Sequence, residues 1–384
     1  MDFALPGDDD PDRMSIRGWL QDHPAPSGRE LAERGLVAPH WPAPWGIGAD
    51  PTLQLIVDDE LGRAGVRRPT NTIGIGWAGP TLLYAGTPAQ KERFLLPLLA
   101  GEEVWCQLFS ESDAGSDLAS LTTRAVRDGD EWVVDGQKVW TSYAHVARFG
   151  ILLARTESDV PVHQGISYFI CPMDAPGLSI RPLVDMTGTH TFNQVVLDGV
   201  RLPADHLVGA RGGGWALAKV TLGNERVSLS GAGALWGMGP TADDLVHAVG
   251  QAGGVTDPLL RQRLAGVWIE GEILRLLRLR TVSAAVAGAE PGPEASVRKA
   301  LADEHGQKVM ALARDLTGLW GTLSETAPVG PSSAGAEEAA GWPGGLWDYG
   351  YLFAPALTIG GGTSEVQRNI IAERTLGLPH DPPA

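Results

Sequence analysis

Cysteine is almost missing from this 384-residue chain, and with only Cys106 and Cys171 neither a disulfide framework nor a cysteine-rich metal site can be built. Both thiols are expected in the core. No run of eighteen or more uncharged apolar residues occurs, which argues against a membrane-spanning helix. The opening MDFALPGDDDPDR is acidic rather than a basic leader before an apolar stretch, so the default location is the cytoplasm. The nine histidines form no close pair of the H-E-x-x-H kind, and no metal is expected. Positive charge is also scarce: 30 Lys and Arg face 46 Asp and Glu, a formal net charge of −16. Nucleic acid and anionic membrane are thereby disfavoured as partners, and a polyanionic cofactor would need local basic groups. The acidity itself reads as solubility.

What the chain does have is enough apolar residue, 43%, to bury one large core or two to three modest ones. Residues 15 to 101 read as short amphipathic helices broken at Pro and Gly. In TPAQKERFLLPLLAG (87–101), Thr87 is an N-cap, Pro88 takes the first turn and Gly101 is the stop. From 103 to about 210 the texture becomes β: FGILLART, GISYFICPM, LSIRPL and FNQVVLDGVRLP, with two DG turns in RDGDEWVVDGQKVW as a hairpin signal. Helices return after 215. In DPLLRQRLAGVWIEGEILRLLRLR (257–280), Asp257 caps and Leu260, Leu264, Val267, Leu274 and Leu277 recur at helical spacing. The run near 324–345 is aperiodic and rich in Pro, Gly, Ser and Ala, so a mobile loop is expected. The fold class is α+β multidomain, with helical (1–102), β (103–214) and helical (215–384) domains.

Four segments carry chemistry, and one is a decoy. Gly74, Gly76 and Gly79 spell G-x-G-x-x-G, but RRPTNTI precedes them instead of a buried strand and Pro80 follows, so they read as a loop between helices. LFSESDAGSDLAS (108–120) has the small residues that let backbone approach a planar ligand, hydroxyls at Ser110 and Ser116, and Glu111, Asp113 and Asp117 to orient the loop. GQKVWTSYA (136–144) offers Trp140 to a ring system and Ser142 to its polar edge. TLGNERVSLSGAG (221–233) is read as opening a helix with Glu225 and Arg226 side by side. ALTIGGGTSEVQRNIIAERTLGLP (356–379) sets a glycine run before Thr363 at a helix N-cap, with Glu365 in the first turn.

Together these segments resemble the acyl-CoA dehydrogenase family, from GLVAPHWPAPWG (35–46) to the C-terminus. ESDAGSD is similar to that family's first signature, with Ser112 where proline is common. W-T-S (140–142) resembles its flavin-contacting tripeptide, and GTSEVQR (362–368) its C-terminal signature. The resemblance implies an N-terminal helical domain, a middle β-barrel domain and a C-terminal four-helix bundle. It implies FAD, held by Gln107, Phe109, Ser110, Gly115, Ser116, Trp140, Thr141 and Ser142, with contacts from Thr363 and Glu365. It places Ser116, Arg226 and Gly362 toward an acyl-CoA substrate and names an electron-transfer flavoprotein as acceptor.

Removing the α-proton of a thioester requires a dry carboxylate beside the carbon and donors for the charge on the carbonyl oxygen. Many family members carry that carboxylate two residues before the Thr of G-T-S, where this chain has Gly361. A minority, similar to isovaleryl- and long-chain-specific enzymes, place it on the E-R helix instead. The resemblance therefore implies Glu225 as base, and the Gly361 N–H with a flavin ribityl hydroxyl as oxyanion donors. The family's R-x-x-F-G and Q-x-x-G-G elements are weakened here to VGQAGGVTDP (249–258) and DLTGLWGTLS (315–324). Their loss resembles steroid side-chain dehydrogenases assembled from two paralogues, so a homo- or hetero-oligomer is expected, with a sister chain supplying the clamp. A flavin oxidase or monooxygenase on the same fold, or a non-catalytic partner subunit, are the alternatives.

Overall fold

The computed structural model describes residues 6–229, 234–236, 239–286, 292–318 and 345–380. Most of the expected 324–345 loop lies outside them. The chain divides into two compact units, Met1–Pro182 with Phe192–Asn224, and Leu183–Thr191 with Glu225–Ala384.

The first unit begins with helices α1 (Pro11–Asp22), α2 (Gly28–Glu33), α3 (Pro51–Arg63), α4 (Gly79–Ala85) and α5 (Pro88–Leu99). Their starts follow from local chemistry. Asp10, Ser27, Asp50 and Thr87 each accept a backbone N–H of the first turn, and a proline occupies the first turn of α1, α3 and α5. At Thr87 the bond is reciprocated by Gln90, completing a capping box. Eight strands follow: β1 (Trp105–Leu108), β2 (Arg124–Asp128), β3 (Glu131–Ser142), β4 (Phe149–Arg155), β5 (Ile166–Pro172), β6 (Leu178–Leu183), β7 (Phe192–Pro203) and β8 (Leu207–Val208). The hairpin signal of the sequence falls on β2 and β3, and its four other strand-like runs are β4 to β7. Too short to show an alternation, β1 and β8 went unread.

The middle domain, given by the resemblance as a β-barrel, is one eight-stranded sheet with the path β6-β7-β3-β2-β4-β5-β8, and β1 added to β4 in parallel. Strands β4 and β5 are buried almost throughout, which is why they read as unbroken apolar runs. Of the two DG signals only Asp128-Gly129 turns the chain. Asp135-Gly136 lies inside β3 at a register shift against β7, and glycine is required there because a Cβ at Gly136 would stand 2.5 Å from Thr123 Oγ1. Cys106 and Cys171 are both fully buried.

The G-x-G-x-x-G run departs from its expected loop. Residues Gly74–Ala78 form a π-helical turn that runs directly into α4. Close packing explains the glycines: a Cβ at Gly79 would meet the Trp41 ring at 2.3 Å, and one at Gly74 the Asn71 amide at 2.4 Å. Asn71 in turn donates to Leu98 O and Glu103 O and accepts from Trp105 N, which leaves no room beside Gly74 for a larger residue.

Helix α6 (Gly214–Leu229) contains the boundary between the units. The second unit continues with α7 (Ala242–Gln251), α8 (Pro258–Val286), α9 (Glu294–Leu316), α10 (Leu346–Phe353) and α11 (Ser364–Ile370). Asp257 caps α8 as expected, accepting from Leu259 N and Leu260 N. Val267 is buried in the core with Leu245, Val309, Met310, Trp347 and Leu357, and Leu260 and Leu264 pack against it. Among the described residues no helix is long and apolar enough to cross a membrane.

Candidate functional site

In the first unit the ESDAGSD and W-T-S segments are tied together by a buried ion pair. Glu111 sits in the loop after β1 and Lys138 on β3, with side chains 8% and 0% exposed and 2.8 Å between Oε1 and Nζ. Lys138 also donates to Phe109 O, and Glu111 accepts from Thr122 N, Thr122 Oγ1 and Thr123 N. Burial alone would raise the Glu111 carboxyl; the Lys138 charge and these hydrogen bonds outweigh it and hold the group down at about 2. Burial pulls the Lys138 ammonium down to about 8 against the opposing pull of Glu111. Glu111 orients this loop through Lys138, a partner that the sequence does not mark. Nothing in GQKVWTS marks Lys138 as inward-facing apart from alternation along β3.

Around this pair, Phe109 and Thr141 are buried, Gln107, Ser110 and Ser142 half-buried, and Gly115 and Ser116 exposed. Trp140 is 62% exposed and has a left-handed backbone, φ 60°. Thr141 Oγ1 is buried without a hydrogen-bond partner among the described residues. An uncovered indole next to an unsatisfied hydroxyl is what a planar ligand with a polar edge would complete.

In the second unit, Glu225 and Gly361 come together. The side chain of Glu225 is buried, 7% exposed, and a Cβ built on Gly361 would lie 3.6 Å from its Oε1. The same point is 2.6 Å from Leu229 Cδ1 and 2.8 Å from Lys299 Cε, so Gly361 is closely walled. Its φ of +68° is a second reason for glycine. Gln367, fully buried, donates to Gly361 O and Gly362 O at 3.1 Å each and anchors the turn. Thr363 caps α11 through Val366 N, and Glu365 lies in its first turn, its carboxyl lowered by that backbone and the Thr363 hydroxyl.

The E-R pair does not open a helix, because α6 already starts at Gly214; Glu225 and Arg226 lie in its last described turns. Gly223 does not interrupt the helix, and Asn224 bonds back to Val220 O instead of capping a new one. Arg226 is half-buried, and burial draws its guanidinium down while the Glu225 charge raises it. Lys299 and Asp303, a buried pair on α9 at 2.6 Å, went unnoticed in the sequence because i,i+4 charge pairs are ordinarily solvated. Burial pushes the Asp303 carboxyl up to about 6 despite Lys299.

Three models of the acyl-CoA dehydrogenase N-terminal, middle and C-terminal domains match residues 15–102, 106–200 and 212–376 in that order. They define a flavin-dependent oxidoreductase acting on CH–CH bonds. The chain belongs to the acyl-CoA dehydrogenase family. It is 39% identical over 394 residues to acyl-CoA dehydrogenase IpdE1 of Mycobacterium tuberculosis, covering 96% of this chain and 97% of that protein. To acyl-CoA dehydrogenase FadE34 of the same organism it is 43% identical over 349 residues, 91% of this chain but 45% of FadE34, which is thus about twice as long. Among solved structures the Tcur3481-Tcur3483 steroid ACAD superposes with a TM-score of 0.78 at 30% identity, covering 99% of this chain and all of that one.

Proposed function

We propose that this chain dehydrogenates an acyl-CoA thioester between its α and β carbons to the trans-2-enoyl thioester, with Glu225 as the base. The observation that carries this reading is the 3.6 Å between Glu225 Oε1 and the Cβ position of Gly361. A buried carboxylate thus stands next to the residue from which most of the family's bases project. Glu225 takes up the α-proton, and the Gly361 N–H donates to the charge that develops on the thioester carbonyl. The exposed Trp140 and the Thr141 hydroxyl, without a hydrogen-bond partner among the described residues, fit FAD, with Gln107, Phe109, Ser110, Gly115, Ser116, Thr141 and Ser142 around it and Thr363 and Glu365 as further contacts. Bound FAD would supply the acceptor for the β-hydride.

Ser116, Arg226 and Gly362 are assigned to the acyl-CoA. A bulky acyl group, such as a steroid side chain, is supported by the steroid ACAD likeness. It draws no support from free space at Gly361, which Leu229 and Lys299 fill. We further assign electron-transfer flavoprotein as the acceptor, and an oligomer in which a paralogous chain completes the cofactor clamp, since the Tcur3481-Tcur3483 protein carries two component names. We propose domain limits of 1–102, 103–214 and 215–384.

Anaerobic titration with a panel of acyl-CoA thioesters tests the reading. Wild-type flavin should bleach, and Glu225→Gln should slow bleaching by about 10²–10⁴-fold with FAD retained. Equal rates would move the base elsewhere. A homotetramer made alone with one tightly bound FAD per chain would end the paralogue assignment.

A further inference from the structure

Val139 and Trp140, the last residue before the flavin-type tripeptide and the first within it, leave the ladder. Pairing of β3 with β7 shifts register between Lys138 and Thr141, then resumes as Thr141 opposite Asn193 and Ser142 opposite Phe192. Within the gap Val139 N turns aside to Ser110 O at 2.9 Å, and Trp140 adopts φ 60°. Tyr143, just beyond, is also left-handed at φ 59°. Bulky side chains hold that conformation only where their surroundings over-determine it. Trp140, largely exposed, cannot be held by burial.

Two consecutive residues of β7 supply the constraint. Asn193 is 1% exposed, and its Nδ2 donates to Thr141 O at 3.0 Å and lies 3.2 Å from His145 Nδ1. Phe192 meets the Trp140 ring edge-on, with centroids 6.1 Å apart and planes at 83°. Neighbouring strand residues face opposite sides. One side chain therefore grips the backbone of the tripeptide while the other braces its indole.

We infer that Phe192 and Asn193 are positioning residues that set the Trp140-Thr141-Ser142 conformation and, through it, affinity for the flavin. The inference rests on the assignment of FAD to this tripeptide. Asn193→Asp keeps the size of the amide but cannot donate to Thr141 O. It should weaken FAD binding on the order of tenfold, the loss of one buried hydrogen bond. Phe192→Leu, which keeps apolar bulk, should weaken it by a few-fold through the lost ring edge.

The measurement is the FAD dissociation constant, by fluorescence titration of the stripped protein, alone or with its partner subunit. A double-mutant cycle of Asn193→Asp with Trp140→Phe should be non-additive, since Asn193 acts through the indole-bearing backbone. A merely structural amide would lower melting temperature while leaving FAD affinity unchanged, or give strictly additive losses, and either result overturns the clamp. Wild-type protein that takes up no FAD under any of these conditions would overturn the cofactor assignment along with it.

Discussion

Each unit buries one lysine–carboxylate pair beside its candidate chemistry, and the two pairs are pushed in opposite directions. On the strand side, Glu111 accepts from Lys138, from two backbone N–H groups and from a hydroxyl, and its carboxyl falls to about 2. On the helix side, Asp303 accepts from Lys299 at 2.6 Å, and its carboxyl rises to about 6. Burial opposes ionisation in both. What differs is the number of donors: a carboxylate whose lone pairs are filled tolerates a dry site, whereas one held by a single ammonium does not. The strand pair ties the loop after β1 to β3, and the helix pair lies beside Gly361, a Cβ on which would stand 2.8 Å from Lys299 Cε.

Removing a partner from the well-satisfied pair is the severest way to test this contrast. Lys138→Met leaves Glu111 buried without its cation, and a loss of about 3–5 kcal/mol in a denaturant titration is expected. A loss below about 1 kcal/mol would show that the hydrogen bonds alone suffice. Gly361→Ala comes next. Its φ of +68° and contacts at 2.6 and 2.8 Å predict a loss of about 1–3 kcal/mol, with acyl-CoA bleaching slowed and FAD retained. FAD loss in that variant would mean that the glycine corner supports cofactor rather than base.

The pH response is the smallest and most discriminating. Asp303 has its folded value raised above 3.8, so its contribution to stability is complete below 3.8 and is lost as pH rises through about 6. Glu111 is depressed below 4.5, so its contribution is present above 4.5 and is lost as pH falls through about 2. Urea midpoints for Asp303→Asn relative to wild type should therefore shift in the variant's favour between pH 4 and 7. A constant difference across that range would remove Asp303 from the account.

Helix starts were legible because a cap is a local transaction: Thr87 with Gln90 and Asp257 with Leu259 and Leu260 need no partner from elsewhere. Strands β4 to β7 were legible by the same rule of nearness, through period and β-branched content. The DG inside β3, the glycines at 74–79 and the start of α6 were misread. Their roles are set by Thr123, by Trp41, and by the helix upstream of Gly223, distant or continuous features that a short window misses, and by the side-chain packing of nearby Asn71, which residue type alone does not show.

By itself, the sequence determined which residue types stand available for the proposed reaction: a glutamate at 225 with a glycine at 361, an indole and two hydroxyls in W-T-S, and the order of helical and β segments. The tertiary structure decided which charges are dry, that Lys138 closes on Glu111, and that Lys299 and Leu229 crowd the Cβ position of Gly361. The division is physical. Backbone preferences act within a turn or a strand, whereas desolvation and close contact depend on residues from different elements arriving at the same point.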